Sequence, residues 1–350
     1  MTIEEIAQEI LITAQNQQIS DIHLLPTKHH YQLYFRYLDS LQLQQSYSLE
    51  EGEKIILYFK YLGEMNVGEK RKPQSGAAKI TLLKRAFDLR FSVLSNFRAQ
   101  ESLVIRLLKQ QQLFQLEKQV FLPQQLIKIK ELLTKSKGLI IFSGPVDSGK
   151  TTTMYELLKP FAQTEKMQVI TIEDPVEIEA VDFFQAQVNE KSGVTYASLL
   201  KASLRHHPDI IIVGEIRDEE TAKMTIRIAL TGHLVLTTVH AQNAIGVIAR
   251  LIDLGVSEEQ LKQTINGIIY QRLLPETCCY CIENCTKSCQ QLSGKMKRKV
   301  LFELLAGDDL KEFFLQKTRP KHFPTFQYYL RKVYAYGYLS EKNYQKYAQL

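Results

Sequence analysis

No run of apolar residues in this 350-residue chain approaches the roughly 18–20 needed to cross a bilayer. The start, Met1-Thr-Ile-Glu-Glu5, lacks the basic region and long apolar stretch of a secretory leader. The expectation is a protein neither exported nor integral to a membrane. A disulfide framework is also missing: the five cysteines all fall between Cys278 and Cys289, which suits a reducing cytoplasm. Charge of one sign is not in great excess. The 44 basic and 38 acidic residues leave a net +6, which permits contact with nucleic acid or anionic lipid without demanding it. No repeat at solenoid periods is present. With 45% apolar and 23% charged residues, global disorder is excluded and two domains with a well-buried core are expected.

What is present begins with a helix. Thr2 and Glu5 form a capping-box pattern, and Ile3, Ile6, Ala7, Ile10, Leu11 and Ala14 repeat at helical spacing. Alternating stretches such as Tyr31–Tyr37 and Leu103–Leu108 follow, so residues 1–108 read as a small α+β domain. Residues 109–120, rich in Gln, read as a linker and a natural hinge. From residue 121 to about 290 helices alternate with the short apolar runs Gly138–Phe142, Gln168–Ile172, Asp209–Val213 and Leu234–Val239. Runs without alternation indicate strands buried on both faces, hence a parallel α/β sheet. The last stretch, 291–350, reads as helical, first basic (Lys295, Lys297, Arg298, Lys299) and then tyrosine-rich.

Gly144-Pro145-Val146-Asp147-Ser148-Gly149-Lys150-Thr151 matches G-x-x-x-x-G-K-[ST], between a strand and a helix beginning near Thr151. Its glycines let backbone N–H groups turn inward around an anion, and the helix N-terminus adds partial positive charge. Lys150 can reach the β- and γ-phosphates and the Thr151 hydroxyl can bind Mg²⁺. Residues Gly144 to Thr152 are therefore the expected ATP-binding run. Such a loop needs a further carboxylate. Glu215 follows the strand Asp209–Val213 and is the candidate Mg²⁺ partner; the competing reading pairs it with Arg217. Glu173, Asp174 and Glu177 crowd another strand end. Glu173 or Glu177 could orient water, and spacing does not choose between them; an acidic solvated turn is the alternative. His233 and His240 bracket the strand Leu234–Val239, where a polar group can sense the γ-phosphate. Each is otherwise a satisfied structural histidine.

In order, the phosphate loop, Ile172-Glu-Asp-Pro-Val-Glu177, the segment Asp209–Ala222 and the segment Thr231–Ala244 resemble four motifs of the secretion ATPases that drive type II secretion and type IV pili. These are that family's Walker A, Asp box, Walker B and His box. Ser20-Asp-Ile-His23, Lys72-Pro-Gln-Ser-Gly76 and Asp88-Leu-Arg90-Phe-Ser92 are similar to its N-terminal signatures, so the resemblance covers roughly residues 1–275. Within the family the chain looks most like the competence branch of Gram-positive bacteria. The resemblance implies a RecA-like P-loop domain behind a small PAS-like α+β domain, with a helical C-terminal tail. It implies Mg-ATP hydrolysis by a homo-hexameric motor at the cytoplasmic face of the membrane, working on a membrane platform protein to assemble a pseudopilus for DNA uptake. Direct specific nucleic-acid binding is not expected. Arg90 and Arg106 correspond to arginines that reach the nucleotide; each is otherwise a surface ion-pair residue. Two departures stand out. The family's acid before the Walker B strand is here His207, and the C-terminal motif of retraction ATPases is absent, which favours assembly.

Cys278, Cys281, Cys285 and Cys289 are candidate ligands of a structural Zn²⁺, with Cys279 left over; free thiols are the alternative, because the central gap is tighter than in an ordinary zinc ribbon. The basic run near Lys295 is a solvated face or a contact for anionic lipid. Retraction, nucleic-acid translocation and a nucleotide-gated scaffold are the competing functions.

Overall fold

The computed structural model describes residues 2–17, 19–37, 40–82, 85–108, 115–277 and 298–349. The chain divides into two compact units, Met1–Gln112 and Leu113–Leu350.

The first unit opens with α1 (Ile3–Asn16), whose capping box between Thr2 and Glu5 is formed as expected. Then come β1 (Asp21–Pro26), β2 (His30–Tyr37), β3 (Ser40–Ser48), α2 (Leu49–Leu62), β4 (Gln74–Leu82), β5 (Arg85–Ser95) and β6 (Glu101–Leu108). The six strands form an antiparallel sheet in the order β3-β2-β1-β6-β5-β4. Alternation puts Ile22, Leu24, Phe35, Leu89, Phe91 and Ile105 in one core with Ile10, Leu11, Ile55 and Phe59 from the two helices. Each such burial contributes about 1.5–3 kcal/mol. The other face is polar. Lys60 is fully buried, donating to Glu101 at 2.7 Å and to the carbonyl of Glu69 at 2.7 Å.

The second unit contains α3 (Pro123–Leu133), β7 (Gly138–Ser143), α4 (Lys150–Gln163), β8 (Val169–Glu173), β9 (Phe184–Gln187), α5 (Tyr196–Ser203), β10 (Ile210–Val213), α6 (Glu219–Leu230) and β11 (Leu234–Val239). It continues with α7 (Ala244–Asp253), α8 (Glu258–Thr264), β12 (Ile265–Pro275), β13 (Arg298–Ala306), α9 (Gly307–Gln316), α10 (Phe326–Ala335) and α11 (Glu341–Ala348). The sheet order is β13-β12-β7-β11-β10-β8-β9, parallel except for β13. All four apolar runs read from the sequence are strands, and β7, β8, β10 and β11 are buried along their whole length. The fold class is thus the α/β architecture expected, with an antiparallel N-terminal sheet and helices near the C-terminus.

The helical reading of residues 291–350 needs correction within its described part. Arg298–Ala306 is a strand, pairing with β12 from Pro275↔Arg298 to Gly267↔Ala306, and helices begin only at Gly307. β12 itself carried no strand expectation. The tyrosine-rich end does pack as helices: Tyr334 of α10 stacks on Tyr344 of α11 with ring centroids 4.4 Å apart. Among the described residues no helix is long and apolar enough to cross a membrane.

Candidate nucleotide site

Parallel strands bring their C-terminal ends to one edge, where α/β sheets place ligands. β7 runs from there into the loop Gly144–Gly149, and α4 starts at Lys150. Gly149 caps α4 in the left-handed conformation (φ +79°) without a side-chain hydrogen bond, so the first-turn N–H groups are open to an anion. Gly144, at φ +146°, lies against β12, and a Cβ there would come 2.3 Å from the carbonyl of Gln271. Gln271 is fully buried and donates to the carbonyl of Ser148 at 2.7 Å. On the outer side Arg298 donates to Asp147 at 3.3 Å. The strand pair β12–β13 therefore underpins the loop, a support that the sequence did not reveal.

Lys150 donates to the carbonyls of Gly144 (3.2 Å) and Pro145 (2.9 Å). Burial pulls its pKa below the ordinary lysine value, opposed by the charges of Glu215, Glu177 and Asp147, in that order of influence. Those carboxylates belong to the Walker B end, the Asp box and the loop itself. The side chain of Glu215 forms an ion pair with Arg217 and lies 3.7 Å from His240 Nε2. Of the two partners foreseen for Glu215, Arg217 is the one it meets here. Thr238 Oγ1 donates to the carbonyl of Gly214 at 2.7 Å, tying β11 to the end of β10.

The two histidines separate. His240 follows β11 at the loop edge, where Val239 pairs with Ser143; burial, helped by Lys150, holds its pKa below the ordinary histidine value, so the ring is neutral at pH 7. His233 precedes Leu234, which pairs with Gly138 at the start of β7, about 20 Å away along the strand. Its ring lies 3.2 Å from Thr231 Oγ1 and its carbonyl accepts from the N–H of Gly138, at the strand end opposite this edge.

The acidic cluster separates too. Glu173, 4% exposed, is bound by Tyr155 of α4, by Thr171 Oγ1 at 2.7 Å and by Gln185 of β9 at 3.4 Å. Gln185 and Gln187 further fasten the segment after it, through Ile178, Ala180 and Val176. Glu177 is exposed and acts on Lys150. Glu177→Gln is accordingly expected to lower kcat about tenfold or more. Glu173→Gln should instead lower the melting temperature, since a buried acceptor of three donors loses its charge. Steady-state phosphate release and thermal melts of the two variants check this; the opposite pattern would exchange their roles.

Two buried hydroxyls at this edge, Ser148 Oγ and Tyr196 Oη, have no partner among the described residues, and Glu215 and Asp174 both act on Tyr196. Orphaned donors beside clustered carboxylates fit a site completed by phosphate oxygens and Mg²⁺. Thr151 and Thr152 stand half-buried in the first turn of α4. Cys278, Cys281, Cys285 and Cys289, with Lys295 and Lys297, lie outside the described residues, among which no group of three or more His, Cys, Asp or Glu could hold a metal ion. Arg298 and Lys299 are ion-paired, with Asp147 and Glu276, so neither belongs to an open basic face.

In the first unit a row of register partners crosses the polar face of the sheet: Arg36, Asp21, Arg106, Arg90 and Ala77. Asp21 accepts from Arg106 Nε at 2.8 Å, and Arg36 Nε points to His23 Nε2 at 3.4 Å. The Ser20–His23 signature therefore orients arginines. Gln74 of the Lys72–Gly76 signature bonds Asn66 in both directions, and a Cβ on Gly76 would come 2.3 Å from the carbonyl of Gly63. Arg90 and Arg106 are thus neighbours across β5 and β6.

A P-loop at the carboxyl edge of a parallel sheet, with acids from three segments acting on its lysine, defines a nucleotide-binding α/β protein. The chain belongs to the type II/IV secretion system protein family, whose model matches residues 1–327. It is similar to the competence protein ComGA of Bacillus subtilis, 38% identical over 349 residues, covering 99% of this chain and 98% of that protein. It is also similar to the competence protein ComGA of Streptococcus pneumoniae, 43% identical over 272 residues, 78% of this chain and 85% of that one. Among solved structures, the pilus retraction motor PilT with bound ADP matches with a TM-score of 0.67 and 26% identity, covering 97% of this chain and 96% of that one.

Proposed function

We propose that the chain is an ATP-hydrolysing motor that drives assembly of a pseudopilus for DNA uptake. The observation that carries hydrolysis is the loop Gly144–Gly149 with Lys150 at an open helix N-terminus, where Glu215, Glu177 and Asp147 act electrostatically on that lysine. Similarity along nearly the whole chain to competence proteins supports the setting. In this reading the loop amides and Lys150 hold the β- and γ-phosphates, while Thr151 and Glu215 hold Mg²⁺. The bound ion supplies charge neutralisation at the phosphates. Glu177 or Glu215 takes a proton from the attacking water, and His240, neutral and beside Glu215, reports the terminal phosphate. Arg90 and Arg106, register partners in their sheet, complete the charge balance when the nucleotide is bound in this reading.

The working form in this reading is a homo-hexamer at the cytoplasmic face of the membrane. In this reading it passes motion to a membrane platform protein. Assembly is preferred to retraction because the retraction motif is absent from the sequence. The test is to count filaments and measure DNA uptake in cells carrying Lys150→Ala. Loss of both is expected, whereas filaments that accumulate would identify a retraction motor.

A further inference from the structure

Glu303 is a buried carboxylate that the nucleotide site does not use. It sits on β13, 2% exposed, between two helices. Oε1 accepts from the N–H of Ala244, the first residue of α7, at 2.7 Å. Oε2 accepts from the N–H of Phe326, the first residue of α10, at 2.6 Å. First-turn amides lack partners inside their own helix and stand at the positive end of its dipole, so one carboxylate satisfies both ends at once. Burial pushes the Glu303 carboxyl up, and the two amides, with Arg319, pull it back. Neither helix lacks a cap of its own. Asn243 accepts from Gly246 at the start of α7, and Thr325 accepts from Tyr328 at the start of α10. Glu303 is therefore an additional tie between the helices.

What α7 follows gives that tie its meaning. The helix begins directly after the segment His240–Asn243. At the other end of that segment Ser143 Oγ, the last residue of β7 before the phosphate loop, donates to the carbonyl of Ala241 at 3.4 Å. The segment after His240 is thus fastened to β7 at Ala241 and to Glu303 at Ala244, while His240 itself lies 3.7 Å from Glu215. We propose that Glu303 is a positioning residue that fixes the His240 segment to the C-terminal helices, so that a displacement of α10 is felt beside the terminal phosphate. The proposal rests on the hydrolase reading given above.

A double-mutant cycle tests it. kcat and KM for ATP are measured for the wild type, Glu303→Gln, His240→Ala and the double variant. A glutamine offers one acceptor, so one helix amide loses its partner. Glu303→Gln should lower kcat about tenfold with KM changed less than about twofold. The double variant should be no slower than His240→Ala alone. Additive losses, or Glu303→Gln with full kcat, overturn the proposal, because a purely structural tie acts independently of His240. Should Glu303→Gln not fold, amide exchange of the wild type decides. With Mg²⁺ and a non-hydrolysable ATP analogue, peptides covering 241–247 and 326–330 should become protected together; protection confined to the first overturns it. Turnover that survives Lys150→Ala would sink the reading of this loop as the hydrolytic site, whereas Lys150 dependence with additive losses sinks only the role of Glu303.

Discussion

Lys150→Ala is expected to reduce kcat/KM for ATP by about 10³-fold or more, with the fold intact. Two effects combine. The ammonium is the one side-chain cation of the phosphate loop itself, and its removal takes a positive charge from the β- and γ-phosphates in a partly desolvated site, where charge acts more strongly than in water. The same group ties the loop together through the carbonyls of Gly144 and Pro145, so the resting shape of the cradle loosens as well. Phosphate release under saturating ATP reports the first effect, and binding of a fluorescent ATP analogue reports the second. Stability should change little, because the lysine head is not part of the apolar core beneath β7. Turnover within tenfold of the wild type would show that the phosphates do not sit over this loop.

The parts of this site that could be read from sequence are those in which spacing encodes local geometry. The phosphate loop needs glycines, a lysine and a hydroxyl within eight residues, and nothing distant alters that requirement. The four apolar strands announce themselves because both of their faces are buried. β12 and β13 do not. Ile265–Pro275 includes Asn266, Gln271 and Arg272, and Arg298–Ala306 begins with two cations, so neither shows an uninterrupted apolar run. Their strand form is imposed by pairing with each other and with β7. Tertiary pairing overrides local pattern there.

Side-chain roles divide along the same line. Glu173 and Glu177 share one acidic stretch and are equivalent by composition. Only the arrival of Tyr155 from α4 and Gln185 from β9 turns one into a buried acceptor and leaves the other exposed, its charge acting on Lys150. His233 and His240 flank one strand symmetrically, and a strand's direction places just one of them at the carboxyl edge. Gln271 and Glu303 carry no sequence signal at all, since their function lies in backbone partners 123 and 59 residues away in one case each.

Glu215→Gln is expected to lower kcat roughly 10²–10³-fold while ATP binding is retained or tightened. The substitution keeps the size of the side chain and its seat after β10, so Thr238 still holds the neighbouring Gly214 carbonyl. What disappears is one negative charge among those acting on Lys150, and it is the strongest of them. With that charge gone the lysine is freer to face the phosphates, which is why affinity should not fall. Arg217 loses its ion-pair partner, and this exposed guanidinium adds further attraction for an anionic ligand. The chemical step suffers for the opposite reason: a glutamine neither accepts a proton from water nor supplies charge to a Mg²⁺ shell. The diagnostic is therefore a split, measured as tight binding of a fluorescent ATP analogue alongside phosphate release near background. A scaffold that uses ATP binding alone would tolerate this variant in cells, whereas a motor would not. DNA uptake at wild-type levels with turnover abolished would accordingly overturn the motor reading and leave nucleotide binding as the function of the site.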